Sequence, residues 1–189
     1  MQHIIKTLIE DSIYTKQQMV KELIKPIEEA AKIMIKAYEN KNKILICGNG
    51  GSAADSQHLA AEFVSRFLKE RKAIPALALN TNSSTVTAIG NDYGYDYVFS
   101  RQVEAFGVPG DVLWAISTSG NSKNVLKAVE SARNNKIKVI SMTGQSGGAL
   151  KGLSDILLNV PSDHTPRIQE CHILIGHIIC ELVENSLFA

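Results

Sequence analysis

The sequence predicts an α/β protein: a three-layer αβα sandwich around a five-stranded parallel sheet, preceded by a helical extension. Three observations predict it. Short, continuous apolar runs recur at Ile44–Cys47, Ala76–Leu79, Asp111–Ser117, Lys138–Thr143 and Ile156–Val160. Such unalternating runs mark strands covered on both faces. Segments of helical periodicity separate them, as crossovers between parallel strands require. Glycine-rich turns follow several of the runs, where a strand must hand over to a helix.

Each element follows from its local pattern. Across residues 1–40, Ile4, Ile5, Leu8, Ile9 and Ile13 keep helical spacing, as do Val20, Leu23, Ile24, Ile27, Ala31 and Met34. This is one or two amphipathic helices, with Pro26 placed to kink or divide them. A long helix outside a compact α/β core needs a cover for its apolar face, and a partner subunit is expected to supply it. After the first strand, a helix is expected from Ser52 to Lys69. Further helices are expected at Ser83–Ile89 (followed by a loop at 90–94), Phe99–Phe106, Ser122–Asn135, Gly148–Ser154 and Pro166–Phe188. No repeat or low-complexity linker is present, so one domain is expected over residues 1–189.

Composition narrows the function. The chain has 189 residues, 44% hydrophobic and 21% charged, with net charge +1. That balance carries no electrostatic footprint for nucleic acid or anionic membrane. The longest apolar runs, such as Ile173–Cys180, are too short to cross a bilayer, and Met1–Lys6 lacks a signal-peptide layout. Cys47, Cys171 and Cys180 sit in apolar surroundings without metal-type spacing. They read as buried free thiols of a cytoplasmic protein.

Chemistry concentrates at Cys47-Gly48-Asn49-Gly50-Gly51-Ser52 and the helix after it. Small residues at a strand-to-helix turn leave helix N–H groups open to an anion. The glycine spacing is neither a dinucleotide fingerprint nor a Walker loop, which disfavours NAD and ATP. On the same helix His58 and Glu62 are four apart and share a face. A His–Glu pair at that spacing is often a surface hydrogen bond. Its position beyond a ligand-type loop favours divalent metal binding, acid–base chemistry, or both.

A second anion-competent junction is Ser117-Thr118-Ser119-Gly120-Asn121-Ser122. Hydroxyls and helix N–H groups bind phosphate without Lys or Arg. Ser122 also suits an N-cap, and a cap residue can still face a ligand. In open α/β sheets ligands collect at the carboxyl ends of strands, so phosphate is the favoured reading. The closing helix carries Gln169, Glu170, His172, His177 and Glu181. Gln169 and His177 are eight residues apart, roughly 12 Å along the axis, while zinc ligands lie within about 2.3 Å of their ion. They serve one metal by strong convergence or from different subunits, and the second is expected, with this helix completing the site across a subunit boundary. Asn91-Asp92 forms a turn of interest only if it returns to the ligand edge of the sheet.

At these residues the chain resembles the sugar isomerase (SIS) domain family over nearly its whole length, and within it the phosphoheptose isomerases. The resemblance is carried by Cys47–Ser52, Gln57-His58 with Glu62, Gly90–Gly94, Ile116–Ser122, and Arg167–Glu170 with His172 and His177. The Ser/Thr stretch is general to SIS domains; Glu62, Gln169 and His177 together point to the heptose isomerases. The resemblance implies isomerisation of sedoheptulose 7-phosphate to D-glycero-D-manno-heptose 7-phosphate, the first step towards nucleotide-activated heptose for a lipopolysaccharide, capsule or other glycan. It implies a homotetramer with sites at subunit interfaces, residues 1–40 serving oligomerisation, and zinc on His58, Glu62, Gln169 and His177. Phosphate falls on Ser117, Thr118, Ser119 and Ser122. Sugar contacts fall on Asn49, Gly50, Gly51, Ser52, Glu62, Asn91, Asp92 and Gln169.

Such a reaction moves a proton between C1 and C2 through an enediol. It needs a base, an acid and stabilisation of a developing oxyanion. Glu62 and His177 are the expected acid–base pair, in either order. A closely similar non-catalytic branch binds the DNA-replication initiator, but it lacks the positions matching Glu62 and His177. Residues 1–40 are too short and too weakly basic for the DNA-binding domain of a phosphosugar-sensing regulator. An SIS isomerase for another sugar phosphate fits the closing helix less well.

Overall fold

A computed structural model describes residues 1–188. The sheet is five-stranded and parallel: β1 (Ile44–Gly48), β2 (Ala76–Ala78), β3 (Val112–Ile116), β4 (Lys138–Thr143) and β5 (Ile156–Asn159), in the order β2-β1-β3-β4-β5. Leu45 pairs with Leu113, and Leu113 with Val139. The expected three layers are present. Ile44, Ile46, Trp114 and Ile140 point to one face, where α2 (Ile24–Glu39), α3 (Gly51–Val64) and α7 (Thr165–Leu187) supply Met34, Phe63 and Ile179. Leu45, Cys47, Leu113 and Val139 point to the other. There α5 (Ser100–Phe106) and α6 (Lys123–Asn134) supply Val103, Val125 and Val129. Burying both faces accounts for the unalternating strands. All three cysteines are buried free thiols.

The chain leaves β1 for β2 on one side and returns to β3 on the other. The strand order therefore reverses between β1 and β3, whose last residues, Gly48 and Ile116, are register partners. The crevice beyond that pair is where an open α/β sheet binds ligands. The turns at 49–50 and 117–122 form its two walls.

Four boundaries depart from the sequence reading. The helix expected to reach Lys69 ends at Val64. Beyond it the carboxylate of Glu184 accepts the backbone N–H groups of Phe67, Leu68 and Lys69 at 2.9, 2.7 and 2.7 Å, drawing residues 65–75 off the helix axis. Helix α4 (Ser83–Asp92) runs on through Asn91 and Asp92, which were expected in a loop, after Asn82 caps it through Thr85 N–H. Residues 148–152 form a 3-10 turn rather than a longer helix. The extension divides at Leu23 into α1 (Gln2–Glu22) and α2. Pro26 lies in the first turn of α2, where its missing N–H leaves no bond unmade.

Only Thr15 and Met19 of α1 are buried. Ile4, Ile5, Leu8, Ile9 and Ile13 stay 44–62% exposed in one stripe. Beside that stripe α1 is tied to α7, Ser12 Oγ donating to Glu170 Oε2 at 2.7 Å and Arg167 donating to the Leu8 carbonyl. No described helix is long and apolar enough to cross a membrane.

Candidate active site

Helices α3 and α7 lie side by side in the same direction. Gly51 meets Gln169 near their starts: a Cβ on Gly51 would stand 2.5 Å from Gln169 Nε2. Two turns later Leu59 meets Gly176. The next contact along is chemical. His58 Nε2 lies 2.9 Å from His177 Nε2 and 3.3 Å from Glu62 Oε1. The three donor atoms fall within 4.8 Å of one another, the sole cluster of this kind among the described residues. His58 is half exposed and Glu62 is 20% exposed, so the group is open to solvent. Phe67, from the segment drawn in by Glu184, stacks at 5.6 Å on the His177 ring.

His58, Glu62 and His177 thus converge within one chain. This corrects the expectation that His177 completes the site across a subunit boundary; the parallel docking of α3 and α7 supplies it locally. Gln169 does not join them. Its amide meets α3 at Gly51, seven residues and roughly 10 Å before His58. The donor set suits a divalent ion. Two imidazole nitrogens face each other, and a carboxylate stands beside them. A cation would use both ring lone pairs at once, where without one a ring must donate to the other. Two His and one Glu leave a coordination position open, as catalytic zinc sites do.

Both crevice helices begin without a side-chain cap. Gly50, at φ 55°, precedes α3, and Ser122 precedes α6 with no bond back to the helix. Ser122 Oγ instead pairs with Ser117 Oγ at 3.0 Å. The first N–H groups of α6 therefore stand beside a hydroxyl cluster, the arrangement that holds phosphate. Thr118, Ser119 and Asn121 line a cavity of about 530 Å³ with Gln145, Ser162 and Thr165. Gly120, at φ 67°, lets this turn pack onto the 144–148 loop: a Cβ there would lie 2.1 Å from the Gly147 carbonyl oxygen.

Comparison with known proteins shows the family. The SIS domain model matches residues 9–144. Phosphoheptose isomerase 2 of Campylobacter jejuni is 57% identical over 97% of this chain and 92% of its own length. The phosphoheptose isomerase of Aneurinibacillus thermoaerophilus is 53% identical over 97% and 94%. The chain belongs to the SIS-domain phosphoheptose isomerases. Solved structures of the family superpose closely. That from Neisseria gonorrhoeae is 47% identical with a TM-score of 0.93, covering 97% of this chain and 98% of that one. That from Francisella tularensis is 42% identical with a TM-score of 0.95 over the same shares.

Other residues of this family member fall less simply. Ser52 is buried beneath the turn, against Gly48. Asn91 and Asp92 are exposed and bond to each other, Nδ2 to Oδ1 at 2.8 Å. Their segment reaches the crevice through Tyr95, whose hydroxyl donates to Asn49 Oδ1 at 3.3 Å. Sequence reasoning missed Tyr95 and Asn124, the latter bonded twice to Asn49 at 2.9 Å. The only signal was a polar residue in the first turn of α6, which suits solvent equally well. It also missed Asp55, one turn before His58 on the same face. Burial lifts its carboxyl to about 6, against the pull of His58.

Proposed function

We propose that this chain is a ketose–aldose isomerase acting on sedoheptulose 7-phosphate to form D-glycero-D-manno-heptose 7-phosphate, the first step of nucleotide-activated heptose synthesis. One observation carries the reading. A carboxylate and two imidazoles converge on the α3/α7 face, on the helix that opens at the crevice beside a hydroxyl-rich helix start. Phosphate sits on Ser117, Thr118, Ser119 and Ser122, which makes the sugar run past Asn49, Gly50 and Gly51 toward Glu62.

The reaction takes a proton from C1, protonates the C2 carbonyl oxygen, and returns a proton to C2 as O1 gives one up. Glu62 and His177 share these transfers as base and acid. One Glu62 oxygen faces His58, and the other is left for the substrate. His58 holds Glu62 and His177 in register. Zinc is the ion this set suits, held by His58, Glu62 and His177; when bound it supplies Lewis-acid polarisation of the substrate oxygens. We assign Gln169 as a further ligand and sugar contact. Its amide stands beside Gly51 of its own chain, on the path assigned to the sugar, and its metal contact is assigned to a neighbour's site. Asn91 and Asp92 are assigned to the sugar.

The exposed stripe of α1 supports an assembly, for which we propose a homotetramer of one-domain chains built on residues 1–40. Its setting is the cytoplasm and its partners exclude nucleic acid, in line with a net charge of +1. Metal analysis with a coupled assay on sedoheptulose 7-phosphate tests the reading. Turnover by the zinc-loaded protein, lost in Glu62→Gln and in His177→Gln, is the expected result. Near-wild-type turnover in both variants overturns the acid–base assignment.

A further inference from the structure

Asn49 stands at the end of β1, and its amide is almost wholly engaged by the protein. Oδ1 accepts from Asn124 Nδ2 at 2.9 Å and from Tyr95 Oη at 3.3 Å. Nδ2 donates to Asn124 Oδ1 at 2.9 Å. A primary amide offers two acceptor and two donor positions. Three are taken, and the fourth is an N–H. Asn124 is 3% exposed, and its Oδ1 also accepts the Val125 N–H at 3.0 Å. It cannot reverse its own amide without stranding that buried donor.

We propose that Asn124 and Tyr95 are positioning residues that lock Asn49 as a hydrogen-bond donor, aimed at a hydroxyl oxygen of the sugar. The two bonds between Asn49 and Asn124 also tie the turn after β1 to the first turn of α6. They fix the spacing between the loop that grips the sugar and the hydroxyl cluster that grips phosphate. Tyr95 closes the arrangement from a third segment, after α4, where Gly94 at φ 90° turns the chain back. Three separate segments of the chain thereby present one pre-set donor, so little ordering remains to be done when the sugar arrives.

The inference rests on the isomerase reading, and steady-state kinetics on sedoheptulose 7-phosphate separate the two. Tyr95 is 58% exposed, so Tyr95→Phe removes one hydroxyl with little else. A hydrogen bond that serves substrate and transition state alike appears in KM and not in kcat. The expected result for Tyr95→Phe is a KM raised roughly two- to tenfold with kcat and the thermal midpoint held. Asn124→Ala is expected to raise KM further. Inhibition of Tyr95→Phe by inorganic phosphate, which engages the hydroxyl cluster alone, is expected to keep its parental strength. Turnover with parental KM in Tyr95→Phe overturns the inference alone, as does a fall in thermal midpoint at unchanged KM. No turnover by the zinc-loaded parent overturns the isomerase reading and this inference with it.

Discussion

Leu59 on α3 packs directly against Gly176 on α7, so closely that a Cβ at 176 would lie 2.5 Å from Leu59 Cδ2. Their sequence neighbours are His58 and His177, whose ring nitrogens meet at 2.9 Å. The missing side chain at 176 is therefore what lets two helices approach closely enough to join their imidazoles. Leu59 is fully buried and has nowhere to swing. Gly176→Ala must push the helices apart. Overpacking costs about 1–3 kcal/mol, while replacing a mid-helix glycine returns about 1 kcal/mol. Net stability should change little. Catalysis should suffer far more, because a misplacement near 1 Å can cost about 100-fold. The expected outcome is kcat lowered at least tenfold with a small shift in thermal midpoint, read by parallel kinetics and melting.

The same two rings predict a strong dependence on metal. Chelator-stripped protein should lose turnover and regain it on adding zinc. A ligand that binds only the folded state at 100 times its Kd stabilises by about 2.7 kcal/mol, so zinc should raise the thermal midpoint. His58→Ala should abolish that rise, because one ring and one carboxylate remain. Acidification should weaken binding, since an imidazole must shed its proton to ligate. Calorimetric zinc titration of parent and variant at two pH values measures each effect.

Glu184 and Arg71 join helix α7 to the segment that leaves α3 early. Their side chains are 2% and 1% exposed and meet at 2.8 Å. Burial works to raise the Glu184 carboxyl, but the N–H groups of Lys69, Phe67 and Leu68, with Arg71, outweigh it and hold it at about 2. Arg71 donates in turn to the carbonyls of Glu62 and Phe63. Glu184→Gln leaves a buried guanidinium without its counter-charge, which should cost about 3–5 kcal/mol. It should also loosen Phe67 over His177, lowering kcat. Denaturant unfolding measures the first effect, and proteolysis within residues 65–75 the second.

These contacts show what a sequence of this kind conceals. The strands were legible because each is a short apolar run covered on both faces, as Ile44–Cys47 shows. The crevice was legible because glycine and hydroxyl residues follow β1 and β3 directly. The end of α3 was not, because its cause, Glu184, lies about 120 residues downstream. His58 and Glu62 showed as a pair through helical spacing. Their meeting with His177 in one chain depends on packing at Gly176, which spacing along α7 alone cannot reveal. Asn124 was hidden for the same reason, since its partner belongs to a different turn.

Acid should destabilise the fold through His172. This ring is fully buried in α7, with Nε2 3.1 Å from the Thr143 carbonyl oxygen and Nδ1 without a partner. Burial lowers its pKa to about 4, although the bond to Thr143 pulls the other way. An unfolded histidine titrates near 6.5. Above that pH both states are neutral and the contribution is intact. Between about 6.5 and 4 the unfolded chain takes up a proton that the folded one refuses, so stability falls with pH. The full loss is about 3 kcal/mol. Asp55 acts oppositely: its raised pKa lets the folded state bind the extra proton below about 6. Comparing parent with His172→Gln cancels Asp55, since both proteins carry it. Glutamine keeps a donor for Thr143 but does not titrate. Denaturant midpoints should therefore converge or cross as pH drops from 7 to 4, with the parent losing more. Below about 4.5 both should lose stability together, as Glu184 takes up a proton in the unfolded chain while the folded one, held at about 2, refuses it. Parallel curves from pH 7 to 4 would show that His172 does not titrate in this way.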